Sequence, residues 1–189
     1  MKPLNYNASE IGEERFRRWL ERRSADEGLL VERLLDKIVP ILTGTGFKRV
    51  STPVEGGRVQ VGEVRFERSN PDATVTYVSI GFGVTRRSRF NIVAAVLYQR
   101  EDGEWLSKRT GWLVWRKRIE AKYKVWKPRK LSLNRALAIE DVVGRAAQAF
   151  PQLMRFLEGE TPGPNVMDHG FFTGKPAENA AADSAPEKP

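Results

Sequence analysis

Apolar positions along this chain recur first at helical spacing, then at strand spacing, then at helical spacing again. Ile11, Phe16, Trp19 and Leu20 form a short stripe with charges between them, which predicts a first helix. Ser24-Ala25-Asp26-Glu27 has the form of a capping box. The serine hydroxyl can accept from the amide three residues on, and Glu27 can reach back to the cap. Behind it Leu30, Leu34, Leu35, Ile38 and Leu42 hold a 3.6-residue period. Pro40 lacks an N–H and crowds the carbonyl four residues back, so a kink is expected there. Gly44 and Gly46 tolerate the left-handed backbone at which such a helix stops.

From Phe47 the period changes to two, with a first strand expected over Phe47–Ser51. In Glu63-Val64-Arg65-Phe66-Glu67 the apolar pair points one way and three charges the other. Gly62 sits where the phase shifts from Val59 and Val61 to Val64 and Phe66, so it marks a bulge or a turn. Asn70-Pro71-Asp72 reads as a turn, with Thr74–Val84 as the next strand. Phe90–Gln99 is apolar on both faces, as a central strand covered on both sides would be. Asp102-Gly103 is a hairpin signal ahead of a strand over Trp105–Trp115. Residues 119–132 are compatible with a long basic loop or with a short helix.

Helical spacing returns with Ile139, Val142, Val143, Ala146 and Phe150, and again with Phe150, Leu153, Met154 and Leu157. The residue before a proline is biased out of the helical region, so Pro151 is expected to open a second short helix. Strands in a run between helices predict an α+β fold. The expectation is an antiparallel meander of about five strands with the N-terminal and C-terminal helices on one face. The domain is placed at residues 1–158, and residues 159–189, rich in Gly, Pro and Ala, are read as a flexible acidic tail.

This layout resembles a group of small bacterial domains of unknown function. In them a leading helix ends in a Gly-Phe-basic turn, a meander follows, and a helix with an apolar-Pro-x-Leu step closes the domain. The matching pieces are Gly46-Phe47-Lys48, the strand at 74–84 and Phe150-Pro151-Gln152-Leu153, so the resemblance covers residues 29–157. It implies no catalytic residues and, for some of these domains, a role as immunity proteins encoded beside secreted toxins.

Charge sharpens the picture. The chain carries a net charge of +8. Residues 159–189 hold five acids against two bases, a net of −3, which leaves +11 on residues 1–158. A body of that charge favours acidic partners: nucleic acid, an anionic membrane surface or an acidic protein. There are no cysteines, which excludes disulfides, thiolate metal sites and cysteine nucleophiles. The first fifteen residues lack the apolar stretch of a signal peptide, and no uncharged run is long enough to span a bilayer. The expectation is a cytoplasmic protein with no transmembrane segment.

The charge concentrates in residues 108–130, which hold ten Lys or Arg, one acid (Glu120) and the rings of Trp112, Trp115, Tyr123 and Trp126. Cations release counterions from a phosphate backbone and flat rings offer stacking surfaces to bases. The candidate contacts are Lys108, Arg109, Arg116, Lys117, Arg118, Lys122, Lys124, Lys127, Arg129 and Lys130 on phosphates. Tyr123 and Trp126, flanked by lysines, are the stacking candidates. Arg86, Arg87 and Arg89 form a second cluster, and the two make one patch if residues 116–130 fold over the same end of the sheet. The competing account makes Trp112, Leu113 and Trp115 core and the lysines guards of an edge strand.

Other motifs carry less. Gly44-Thr45-Gly46 precedes a strand, whereas a phosphate-binding glycine loop follows one. His169 is the only histidine, and no ligand spacing points to a metal. Glu13/Glu14 and Glu140/Asp141 sit among basic neighbours and read as solvated helix faces. Phe171-Phe172 is an apolar doublet suited to anchoring on a partner. The resulting expectation is a non-enzymatic binding protein without cofactor or metal, with a basic, Trp-rich surface for nucleic acid. The alternative is a protein–protein module, such as an immunity protein capping an acidic partner.

Overall fold

A computed structural model describes residues 8–50, 62–83, 89–115, 126–128 and 134–170. The elements are α1 (Ala8–Glu21), α2 (Ala25–Gly44), β1 (Lys48–Val50), β2 (Glu63–Ser69), β3 (Val75–Phe82), β4 (Phe90–Gln99), β5 (Trp105–Leu113), α3 (Arg135–Leu157) and β6 (Val166–Asp168). The six strands form one antiparallel meander in the order β1-β2-β3-β4-β5-β6. The fold is α+β, with one strand more than expected.

The sixth strand comes from the stretch read as the start of the tail. Residues 159–170 belong to the body: Val166 is fully buried, and Met167 pairs with Trp112. A three-residue strand between Gly/Pro-rich flanks shows too few alternations to register as a period.

Alternation along the strands sorts the sheet into two faces. Val64, Phe66, Val78, Ile80, Phe82, Phe90, Ile92, Ala94, Leu113 and Val166 turn to the helices. There they form one core with Leu30, Leu34, Ile38 and Leu42 of α2 and Ile139, Val143, Phe150 and Leu153 of α3. Gly111 allows the close approach of α3, because a Cβ there would lie 2.8 Å from Leu153 and 3.0 Å from Phe156. On the opposite face Tyr77, Ala95 and Leu97 cluster with Trp105. There the Arg65 guanidinium bridges to Glu67 at 2.7 Å and lies 4.2 Å from the Tyr77 ring centre. Both charged residues are buried, so their pairing offsets part of a large desolvation cost.

The local signals for α2 hold. Ser24 accepts from the Glu27 amide at 3.3 Å, and Glu27 accepts from the Ser24 amide at 3.1 Å. The helix runs through Pro40 and stops at Gly44, with Gly46 at φ +83°. Asn70 to Thr74 and Arg100 to Glu104 form the expected turns, closed by backbone hydrogen bonds of 2.8 Å in each case.

Pro151 does not open a new helix. α3 is continuous from Arg135 to Leu157. Phe150, Leu153, Met154 and Leu157 are all buried while Pro151 faces solvent. Burial of that stripe outweighs the missing hydrogen bond of the proline, a local cost of about 3 kcal/mol.

α1 is held by its aromatic pair. Phe16 and Trp19 stack at 5.5 Å, and each ring lies 6.2 Å from Phe82. The Trp19 indole rests on the backbone of Gly62, which turns at φ +91°. Among the described residues no helix is long and apolar enough to cross a membrane.

Candidate nucleic-acid interface

The structure divides the sequence-predicted residues into groups. Arg86, Arg87, Arg116, Lys117, Arg118, Lys122, Tyr123, Lys124, Arg129 and Lys130 lie outside the described residues, as does Phe171-Phe172. Arg89, Lys108, Arg109, Trp126 and Lys127 are described, and they fall at two separate places.

Trp126 is not a stacking platform, which corrects the expectation. Its ring is 2% exposed and stacks on Phe90 at 6.1 Å with the planes 10° apart. Its indole N–H donates to the Leu113 carbonyl at 2.9 Å. Phe90 and Trp126 also exchange both backbone hydrogen bonds, at 2.9 and 2.8 Å. Trp126 thus pegs its segment to the start of β4. The antiparallel bridge sets Arg89 opposite Lys127, so the described ends of the two basic runs do meet at one end of the sheet.

Lys108 and Arg109 are elsewhere. At about 3.3 Å per residue, the steps from Phe90 to Val96, the partner of Arg109, separate the two places by roughly 20 Å. The Arg109 guanidinium donates to the carbonyls of Phe156 (2.9 Å) and Glu160 (3.1 Å) and lies 5.4 Å from the Phe156 ring centre. It caps the C-terminal end of α3, where orphan carbonyls carry partial negative charge. Lys108 approaches Asp72 at 4.0 Å. The Asp72 carboxyl is held below its ordinary range by the Thr74 hydroxyl and then the Thr74 amide, with a smaller contribution from Lys108.

Trp112 is half-buried, its ring edge-on to His169 at 6.1 Å, and Trp115 is 37% exposed. Among the described residues no group of His, Cys, Asp and Glu is placed to hold a metal ion.

α1 supplies a feature that the sequence reading passed over. Most described arginines are engaged. Arg33 pairs with Glu140, Arg49 with Glu13, Arg135 with Asp26, Arg145 with Asp141, and Arg155 with Glu160. Among the described residues, Arg15, Arg17, Arg22, Lys37, Arg89 and Lys127 show no side-chain hydrogen bond or ion pair. All of these except Lys37 lie on α1, directly after it (Arg22) or at the neighbouring end of the sheet. Trp19 and Arg89 line the same small crevice, together with Glu27, Leu30, Val31, Phe82 and Gly83, which brings α1 beside the Arg89–Lys127 pair. The signal is present in Arg15-Phe16-Arg17-Arg18-Trp19-Leu20-Glu21-Arg22-Arg23, but Glu13 and Glu14 just before it and Glu21 within it give the stretch the look of a solvated helix face.

Comparison with protein-family models, curated proteins and solved structures returns no match.

Proposed function

We propose that this protein is a non-enzymatic binding protein whose basic surface, at the Phe82–Phe90 end of the sheet, engages nucleic acid. The observation that carries this reading is the distribution of unpaired cations. Ion pairs neutralise the guanidiniums on α2 and α3, whereas among the described residues Arg15, Arg17 and Arg22 at α1, and Arg89 and Lys127, have no ion-pair partner. Residues 171–189 carry −1, so the body to residue 170 is +9, and an uncompensated cluster on it attracts a polyanion and releases its counterions. The reading keeps Arg89 and Lys127 from the expected contact set. Trp126 serves as the peg that joins the runs, and Lys108 and Arg109 are left out.

Fluorescence anisotropy with labelled single-stranded RNA, single-stranded DNA and duplex DNA, at low and then physiological salt, tests this. Binding that falls steeply with salt, and weakens in Arg89→Glu/Lys127→Glu, is the expected result. An absence of binding at low salt overturns the reading and favours an acidic protein as the partner of the same surface.

A further inference from the structure

The unpaired arginines of α1 are not spread evenly round the helix. Arg22 is the first residue after α1; carried one residue past the helix end at 100° per residue, the path sets it about 20° from Arg15, two turns further along the axis. Arg18 is 40° from Arg22, but its guanidinium is held by Glu14. The acids sit elsewhere: Glu13 pairs with Arg49, and Glu14 and Glu21 lie about 80–120° away from the stripe. Arg17 is on the far side of the helix, between Glu13 and Glu21, and is not part of the line. The nearest core residue to the stripe is Trp19, the residue that shares its crevice with Arg89. Through Trp19, α1 thus lies beside Arg89.

The described rings along this line all point inward. Phe16 is 8% exposed, Trp19 6%, Phe82 5%, Phe90 1% and Trp126 2%. Trp19 is also covered by Arg23, whose guanidinium lies 4.7 Å from the ring centre. Among the described residues, the Arg15–Arg22 line itself offers guanidinium charge without stacking planes, and the exposed ring of Trp115 lies apart from it past the end of β5. Single strands reward stacking rings, whereas a duplex rewards charge alone, with one phosphate per ~1.7 Å of axis.

We infer that Arg15 of α1 and Arg22, which directly follows that helix, contact the phosphate backbone of a nucleic-acid duplex, without base readout. This rests on the nucleic-acid reading above and names the substrate class and the contact element. The stripe spans about 10 Å of helix axis, over which a duplex presents roughly six phosphates, so both guanidiniums find partners without a defined register.

The test uses the full chain and a labelled mixed-sequence duplex DNA, with affinity measured across a salt series. Each phosphate contact contributes about 0.9 to the slope of log affinity against log salt. Arg15→Gln/Arg22→Gln should lower the slope by about 1.8. Glutamine keeps the helix propensity of arginine, and an unchanged far-UV spectrum and melting temperature verify that α1 is retained. Arg15→Lys/Arg22→Lys should keep the slope, and so should Lys108→Gln, which is remote. An unchanged slope in the glutamine variant, with wild-type binding intact, overturns this inference and leaves the nucleic-acid reading standing. Tighter binding to the single strand of the same length than to the duplex also overturns it. An absence of wild-type binding to any nucleic acid overturns both.

Discussion

Replacing Trp126 separates the two roles its sequence context allows. The ring is 2% exposed, stacked on Phe90, and its N–H satisfies the Leu113 carbonyl. Removing a buried tryptophan side chain costs about 3–5 kcal/mol, in transfer free energy and residual cavity. An orphaned carbonyl places Trp126→Ala toward the upper end of that range. For a chain of this size each kcal/mol lowers the melting temperature by about 2–4 °C, so a drop of roughly 6–20 °C is expected. Trp126→Phe keeps an aromatic stack on Phe90 but loses the donor and the volume of the second ring, at about 1–3 kcal/mol. Urea unfolding followed by far-UV circular dichroism measures both, since that signal does not depend on the substituted indole. The midpoint should shift with the slope unchanged. With the protein still folded, Trp126→Phe should leave affinity for DNA unaltered. A Trp126→Ala variant as stable as wild type that binds DNA less tightly would refute the burial argument and restore the ring to the binding surface.

Three further outcomes follow from the packing and the caps. Gly111→Ala should destabilise by about 1–3 kcal/mol in urea unfolding, because the new methyl overpacks the β5–α3 contact 2.8 Å from Leu153. Ser24→Ala should cost about 1 kcal/mol, with faster amide exchange in the first turn of α2, since the capping box loses the hydroxyl that accepts from Glu27. Thr74→Val should raise the Asp72 carboxyl titration followed by carboxyl-carbon NMR, because the Thr74 hydroxyl is the largest cause of its lowered value. The sign is that of a depressed carboxylate. Its contribution to stability is present above the unfolded value, near 3.9, and is lost as pH falls through the lower folded value.

The parts of the fold legible in the sequence are those set by local pattern. The capping box, the Gly46 stop, the turns at Asn70 and Asp102-Gly103 and the alternation of β2 and β3 need only neighbours to be read. What escaped depends on contacts distant in the chain. Lysines flank Trp126 in sequence, so its own neighbourhood marks it as exposed, and only the pairing with Phe90 buries it. Arg109 belongs to a basic run, yet α3 places the carbonyl of Phe156 within its reach and turns a candidate phosphate ligand into a cap. Pro151 breaks a helix by local rules and is overruled by the buried stripe around it. The same logic governs the candidate site. Composition shows how many cations a surface has but not which of them an acid already holds. Arg33 and Arg15 look alike in sequence, and α3 neutralises the first through Glu140 while leaving the second free. Electrostatic attraction to a polyanion depends on the uncompensated cations, so the binding face is found by subtracting ion pairs rather than by counting lysines and arginines. Among the described residues, that subtraction sets Lys108 and Arg109 aside and leaves Arg15, Arg22, Arg89 and Lys127 among the cations without an acid.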